Sequence, residues 1–356
     1  MKRYLNSVIR FITIGVAVMM LSGMVSARQP ILDGAFWQLG SWLFKDWSDQ
    51  KFADEVKAMK EAGMDIIIIH HGAWWDNDKR DYQTFLKSSV FREDSLLENR
   101  DPMESILQAA DKYGMKVILG DFLAPDCWQE NPSQWMKVWT TGKSEQFRKE
   151  YITRYSKHPS FYGVYITNEP SPTDVDKTNT RELWINSTRT VAQTIKRYNP
   201  NLKVIHSVGL YAEWQKNKEG KLVPMPPSRQ YLDKFWRPWI TGIAEIDTWM
   251  VIDGVGTYLS DIKHTDMAQA WCQDVAKSAK KEYWTDVENA VMGNIGYFPF
   301  TMDQLEDSLQ VAARHADKIV TFEYIHYMAK SSPKPEARKL YTDYQKYRKQ
   351  YFSNPR

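Results

Sequence analysis

A single-domain α/β fold, a (β/α)₈ TIM barrel, is what this sequence predicts, and three observations carry it. Strand-like and helix-like stretches alternate from Ile31 to the C-terminus, eight of each. A glycine that stops a helix, followed by a methionine that opens a strand, occurs at Gly63-Met64 and again at Gly114-Met115, as a repeated helix–strand unit would require. The glycine-rich phosphate turn that an open nucleotide-binding sheet needs beside its first strand is absent, and right-handed crossovers would make the sheet parallel.

The first strand is expected over Gly34 to Leu39 and the first helix over Asp49 to Ala62, with Phe52, Val56 and Met59 on one face. The second strand, Asp65 to His71, is an unbroken isoleucine run suited to burial on both faces, and it runs out into His70-His71-Gly72-Ala73-Trp74-Trp75. A helix over Met103 to Tyr113 precedes the third strand, Lys116 to Leu123. A long loop with Asp126, Trp128, Trp135 and Trp139 then leads to a helix around Glu145 to Ser156.

The fourth strand is Gly163-Val164-Tyr165-Ile166-Thr167-Asn168-Glu169-Pro170. Its centre is made of β-formers, and Pro170, lacking an N–H, biases Glu169 toward an extended conformation, so pairing should end at Glu169. A helix from about Thr180 to Tyr198 and a fifth strand, Lys203 to Val208, come next. The following excursion, with Trp214, Trp236 and Trp239, is too long for a simple connector. The remaining strands are Thr248 to Gly256, Glu282 to Glu288 and Lys318 to His326, separated by helices over Met267 to Lys280 and Met302 to Ala316 and closed by a helix near Pro335 to Phe352. Extended βα loops are therefore expected after strands two, three and five.

Residues 1–27 read as a secretory signal peptide: Lys2, Arg3 and Arg10 lead, an apolar run follows from Phe11 to Val25, and Ser26-Ala27 are small. The barrel would then occupy residues 28–356, exported to the periplasm or beyond, with no membrane anchor after cleavage. The formal net charge of +3 belongs to that leader, because the rest balances at 44 basic against 44 acidic residues, and no charge signal for nucleic acid remains. The two cysteines, Cys127 and Cys272, are permitted to pair in an exported chain, though nothing in the sequence brings them together. Oligomeric state leaves no signal.

On a barrel, chemistry sits at the C-terminal ends of the strands, and two glutamates stand there: Glu169 after strand four and Glu288 after strand seven. Paired carboxylates are the equipment of glycoside hydrolysis. One protonates the leaving oxygen while, in a retaining enzyme, the other attacks the anomeric carbon from about 5–5.5 Å away. Strands four and seven face each other across an eight-stranded barrel, so their ends can flank a bound sugar.

Thr167-Asn168-Glu169-Pro170, together with Trp284-Thr285-Asp286-Val287-Glu288, resembles the clan A glycoside hydrolases. The resemblance implies Glu169 as acid/base, Asn168 as a sugar-binding amide and Glu288 as nucleophile, with a carbohydrate substrate and no cofactor. Asp253-Gly254-Val255-Gly256 and the acidic seventh strand are also similar to a little-studied family of exported bacterial domains classed as candidate glycosidases. Element order extends the likeness over the mature chain. The chain departs from clan A in reading Thr321-Phe322-Glu323-Tyr324-Ile325-His326 where an aromatic, often Trp, ends strand eight, and His70-His71 where an arginine is common near the end of strand two.

Further binding residues are expected around this pair. His70 and His71 suit sugar hydroxyls. As metal ligands with Asp121 or Asp253 they would need adjacent strand residues, which point to opposite faces, to converge. Asp253 and Glu323 fit a polar floor or a structural role equally, and Tyr258, just past strand six, is placed to hydrogen-bond Glu288. Fifteen tryptophans are about three times ordinary usage. Trp249, Trp271 and Trp284 fall in regular elements and read as packing, whereas Trp42, Trp74, Trp75, Trp128 and Trp214 fall in βα loops where flat rings stack on sugars. The reading is a retaining glycoside hydrolase of an oligo- or polysaccharide. The alternatives are a glycan-binding barrel that keeps its groove without turnover and a metal-dependent hydrolase; Glu288 taken alone also fits an ion-pair partner inside the mouth.

Overall fold

The computed structural model describes residues 28–40, 44–76, 78, 81–94, 100–123, 132–170, 178–209, 213–216, 219–220, 222–225, 228–294 and 296–353. Eight parallel strands close into a barrel: β1 (Gly34–Trp37), β2 (Ile66–Ile69), β3 (Lys116–Gly120), β4 (Phe161–Ile166), β5 (Lys203–Val208), β6 (Thr248–Ile252), β7 (Glu282–Glu288) and β8 (Lys318–Phe322). The strands pair in sequence order, and β1 joins β8 through Gly34–Val320 and Ala35–Thr321.

Strand alternation divides the core in two. Phe36, Ile68, Ile118, Tyr165, Ile205, Met250, Trp284 and Val320 point inward and fill the barrel. Residues of opposite parity pack outward against helices, the largest of which include Asp49–Glu61, Pro102–Tyr113, Thr178–Tyr198, Ile262–Ser278, Met302–His315 and Pro335–Ser353. Helix ends follow local chemistry. Thr301 and Gln304 form a capping box before Met302–His315, and Gly114, left-handed at φ 63°, ends Pro102–Tyr113 where a Cβ would be strained. Among the described residues no helix is long and apolar enough to cross a membrane.

Six expected strands stop early: β1 ends at Trp37 rather than Leu39, β2 at Ile69 rather than His71 and β6 at Ile252 rather than Gly256, and β3, β4 and β8 are also shortened. Pairing of β4 ends at Ile166 rather than Glu169, because His206 Nδ1 donates to Ile166 O (3.2 Å) and Thr167 Oγ1 to His70 O (3.0 Å). β3 ends at Gly120, where a Cβ would meet His70 O at 2.2 Å, and Phe122–Leu123 pairs instead with Ala73–Trp74. β8 ends at Phe322, whose peptide bond to Glu323 is cis, and the Glu323 carboxylate caps the single turn Tyr324–Tyr327.

The loops hold more structure than the sequence reading gives them. After β2, strands Ala73–Asp76, Asp81–Thr84 and Arg92–Glu93 join Phe122–Leu123 in a four-stranded sheet. Trp135 and Trp139 lie in helix Pro132–Thr140, Trp236 caps two short helices, Arg229–Phe235 and Arg237–Gly242, and Trp239 lies in the second; all four rings are buried in the outer core. Much of the tryptophan excess is therefore packing. Cys272 is buried and free, while Cys127 lies outside the described residues.

Candidate active site

Glu169 stands three residues beyond β4, over the barrel mouth. Its Oε1 accepts hydrogen bonds from Tyr165 Oη and from Ser207 Oγ (3.0 Å), and those two hydroxyls also touch each other. Tyr165 is inward-facing on β4 and Ser207 lies near the end of β5, both fully buried. Oε2 has no hydrogen-bond partner among the described residues. Burial raises the pKa of Glu169 from the ordinary carboxylate value, against the pull of the two hydroxyls toward the ionised form.

Glu288 ends β7, four residues beyond Trp284 and on the same inward face. Its Oε2 accepts from Thr257 N (3.0 Å) and Thr257 Oγ1 (3.4 Å), and its Oε1 is without a partner among the described residues. The pKa of Glu288 is also raised by burial, opposed by the N–H groups of Thr257 and Gly256. Gly256 is required here, because a Cβ would stand 2.0 Å from Ala290 O and 3.2 Å from Glu288 Oε2.

Two aspartates support this arrangement. Asp253 Oδ1 accepts from Glu288 N and Val255 N, each at 3.2 Å, so this buried residue braces the β6–β7 junction rather than forming a floor beneath a ligand. Burial, with the charge of Glu288, pushes its pKa up to about 8. Asp286, two residues below Glu288 on the inward face, is held well above the usual carboxylate range by burial and by Asp253, Glu169 and Glu288. It lies within electrostatic reach of both glutamates.

The other expected residues divide. His70 Nδ1 and His71 Nδ1 are 3.2 Å apart, so the two imidazoles bond each other although adjacent in sequence. His70 lies against Phe36, Tyr165 and Phe322 at the mouth, while His71 meets Trp74 and Phe85. Burial lowers their pKa values to about 4 and about 3, leaving both neutral near pH 7. Asn168 is buried beside Glu169, and its Nδ2 donates to Phe122 O (3.1 Å). Trp74 is half-buried and stacked on Phe85. Trp42 and Trp128 lie outside the described residues, and Trp214 falls in the strand Glu213–Lys216.

Two expectations are corrected. Tyr258 makes no hydrogen bond to Glu288: it occupies a left-handed turn position (φ 59°) that leaves its ring 59% exposed, and its neighbour Thr257 bonds the carboxylate. Glu323 is fully buried with both oxygens engaged, Oε1 by Gln38 N and Ile325 N and Oε2 by His326 N and Nδ1, so it shapes the loop after β8. Asp121, weighed as a metal ligand, is held by Arg148 Nε (2.8 Å) and Nη2 (2.6 Å) in a pair with no solvent exposure. Among the described residues no three His, Cys, Asp or Glu are arranged to hold a metal ion.

Sequence reasoning passed over Tyr165, Ser207, Thr257 and Asp286. Parity was the available signal for two of them, since Tyr165 and Asp286 stand four and two residues before the glutamates, on inward faces. Ser207 and Thr257 are met only through the barrel's closure.

A parallel eight-stranded barrel with a glutamate beyond β4 and another ending β7 is a fold that glycoside hydrolases use. The chain belongs to the family described as Domain of unknown function (DUF4434), which matches it over residues 32–337. No curated protein matches the chain. Among solved structures it is similar to a candidate alpha-L-fucosidase from Bacteroides thetaiotaomicron, with 21% identity, a TM-score of 0.70, and coverage of 91% of this chain and 95% of that one. The endo-beta-1,4-mannanase of Thermotoga petrophila aligns at 13% identity and a TM-score of 0.55, over 90% and 77% of the two chains. A beta-galactosidase from the psychrophilic Marinomonas ef1 aligns at 10% identity and a TM-score of 0.56, over 90% and 60%. At these identities the likeness establishes the fold.

Proposed function

We propose that the protein is a retaining glycoside hydrolase acting on an oligo- or polysaccharide, with Glu169 as acid/base and Glu288 as nucleophile. The observation that carries this reading is that each glutamate at the mouth has one oxygen held by protein donors and one without a hydrogen-bond partner among the described residues. The free Oε1 of Glu288 attacks the anomeric carbon as the glycosidic bond breaks, and Glu169 gives its proton to the departing oxygen. Water then enters, Glu169 takes its proton, and hydroxide character at the anomeric carbon displaces Glu288. The raised pKa of Glu169 suits a group that must be protonated in the first step. His70 and Asn168, beside the mouth, orient sugar hydroxyls in this scheme, and no cofactor takes part.

The test is hydrolysis of a panel of aryl glycosides and polysaccharides, with the anomeric configuration of the first-formed product read by proton NMR. Retention is expected, together with loss of all turnover in Glu288→Gln. Inversion would remove the nucleophile role, and wild-type binding without turnover would favour a glycan receptor.

A further inference from the structure

The bonding around Glu169 distinguishes its two oxygens. Oε1 meets two hydroxyls that rise from inside the barrel, Tyr165 from β4 and Ser207 from β5. Oε2 meets nothing among the described residues. Tyr165 is pinned by the interior packing, its ring edge-on to Phe36 at 5.2 Å and 74°.

We propose that Tyr165 and Ser207 are positioning residues that reserve Oε1 of Glu169 as a hydrogen-bond acceptor, so that the proton exchanged with substrate and water resides on Oε2. The inference rests on the acid/base reading of Glu169 and adds which oxygen carries the proton and what fixes it. Three oxygens in mutual contact share two hydroxyl hydrogens. With Oε1 unprotonated, both hydrogens find acceptors within the triangle. A proton on Oε1 would make that oxygen a donor: one hydroxyl would have to give up its donation and accept instead, and the other would donate to a protonated oxygen, a poorer acceptor than a carboxylate oxygen. The first proton-transfer step then breaks the Oε2–H bond as the proton passes to the glycosidic oxygen, and the second re-forms it with a proton from water, while Oε1 keeps its two donors throughout.

Other groups near Glu169 do not supply this asymmetry. Asp286, reaching it from β7, is held well above the usual carboxylate range by burial, and His70, which contacts Tyr165 from β2, is lowered to about 4 and is neutral near pH 7. Glu288 lies on the far side of the mouth with its own donor, Thr257.

The hydroxyls stabilise the carboxylate, so removing them makes Glu169 hold its proton to higher pH. Tyr165→Phe and Ser207→Ala in the full chain are each expected to raise the Glu169 titration by about one pH unit. The titration is read directly by NMR of protein labelled with ¹³C at the glutamate carboxyl carbon, with Glu169→Gln identifying the signal, so the readout does not depend on turnover. In turnover the alkaline limb of kcat/KM should move up by the same amount. The natural glycoside should lose kcat with little change in KM, because the proton is no longer confined to Oε2. A filler role for Tyr165 would change thermal stability and leave both the titration and the limb in place. Ser207→Ala keeps the test decisive should Tyr165→Phe fold poorly. An unchanged or lowered Glu169 titration in the folded variants overturns the proposal. The expected titration shift with no hydrolysis of any glycan overturns instead the acid/base reading on which it rests.

Discussion

Asp253 is a buried acid that accepts from the backbone amide of the half-buried Glu288, and its protonation sets a pH dependence that belongs to a single residue. Asp253 titrates at 3.8 when unperturbed and at about 8 in the fold. Between those values the unfolded chain has released this proton and the folded chain still holds it, so stability falls as pH rises through the window. Asp253→Asn keeps an acceptor for the Glu288 and Val255 amides and removes the titration. The variant should therefore gain on the wild type between pH 5 and pH 8, by roughly 1 kcal/mol per pH unit. Thermal unfolding at the two pH values measures this, and a difference independent of pH would show that Asp253 is ionised in the fold. Glu169 and Glu288 were legible in the sequence because a carboxylate at the end of a β-rich run is unusual. Thr257 was not, because the left-handed turn at Tyr258 decides which of two neighbours faces Glu288, and that turn is fixed by contacts from the hairpin after β7.

At the scale of elements, centres of strands and helices were legible and their ends were not. β5 and β7 match the expected bounds. At the ends of β4 and β8 the last backbone groups bond to residues distant in sequence, Ile166 O to His206 and Phe322 O to Asn289, which no local pattern announces. The expected loop tryptophans became helical core for the same reason: a ring is drawn into a helix only when a neighbouring element offers a place to pack it. The hairpin Ala290–Gly293 and Gly296–Pro299 is tied to the site through Met292 N, which donates to Gly256 O at 2.8 Å. Gly256→Ala forces its Cβ against Ala290 O and must move either the hairpin or Thr257. A cost of about 1–3 kcal/mol is expected from overpacking, with a fall in kcat of at least about tenfold, because Glu288 loses its fixed donor. Unchanged thermal stability and activity would show that the hairpin is not coupled to the carboxylate.

At the scale of the whole molecule, the closed barrel is what brings Glu169 and Glu288, far apart in sequence, to one mouth, and this was the most legible feature of all. Alternation of eight strands with helices leaves few other ways to bury an isoleucine run on both faces. Export is the reading of residues 1–27, and N-terminal sequencing of exported protein should begin near Arg28; an intact Met1 in the membrane fraction would identify an anchor instead. Azide rescue of Glu169→Gln separates the duties of the two glutamates in successive steps. An aryl glycoside with a good leaving group needs no proton, so the first step survives in this variant while the second lacks its base. Azide attacks without deprotonation. Restored turnover and a glycosyl azide of retained configuration are expected, whereas no rescue, or equal rescue of Glu288→Gln, would overturn the assignment.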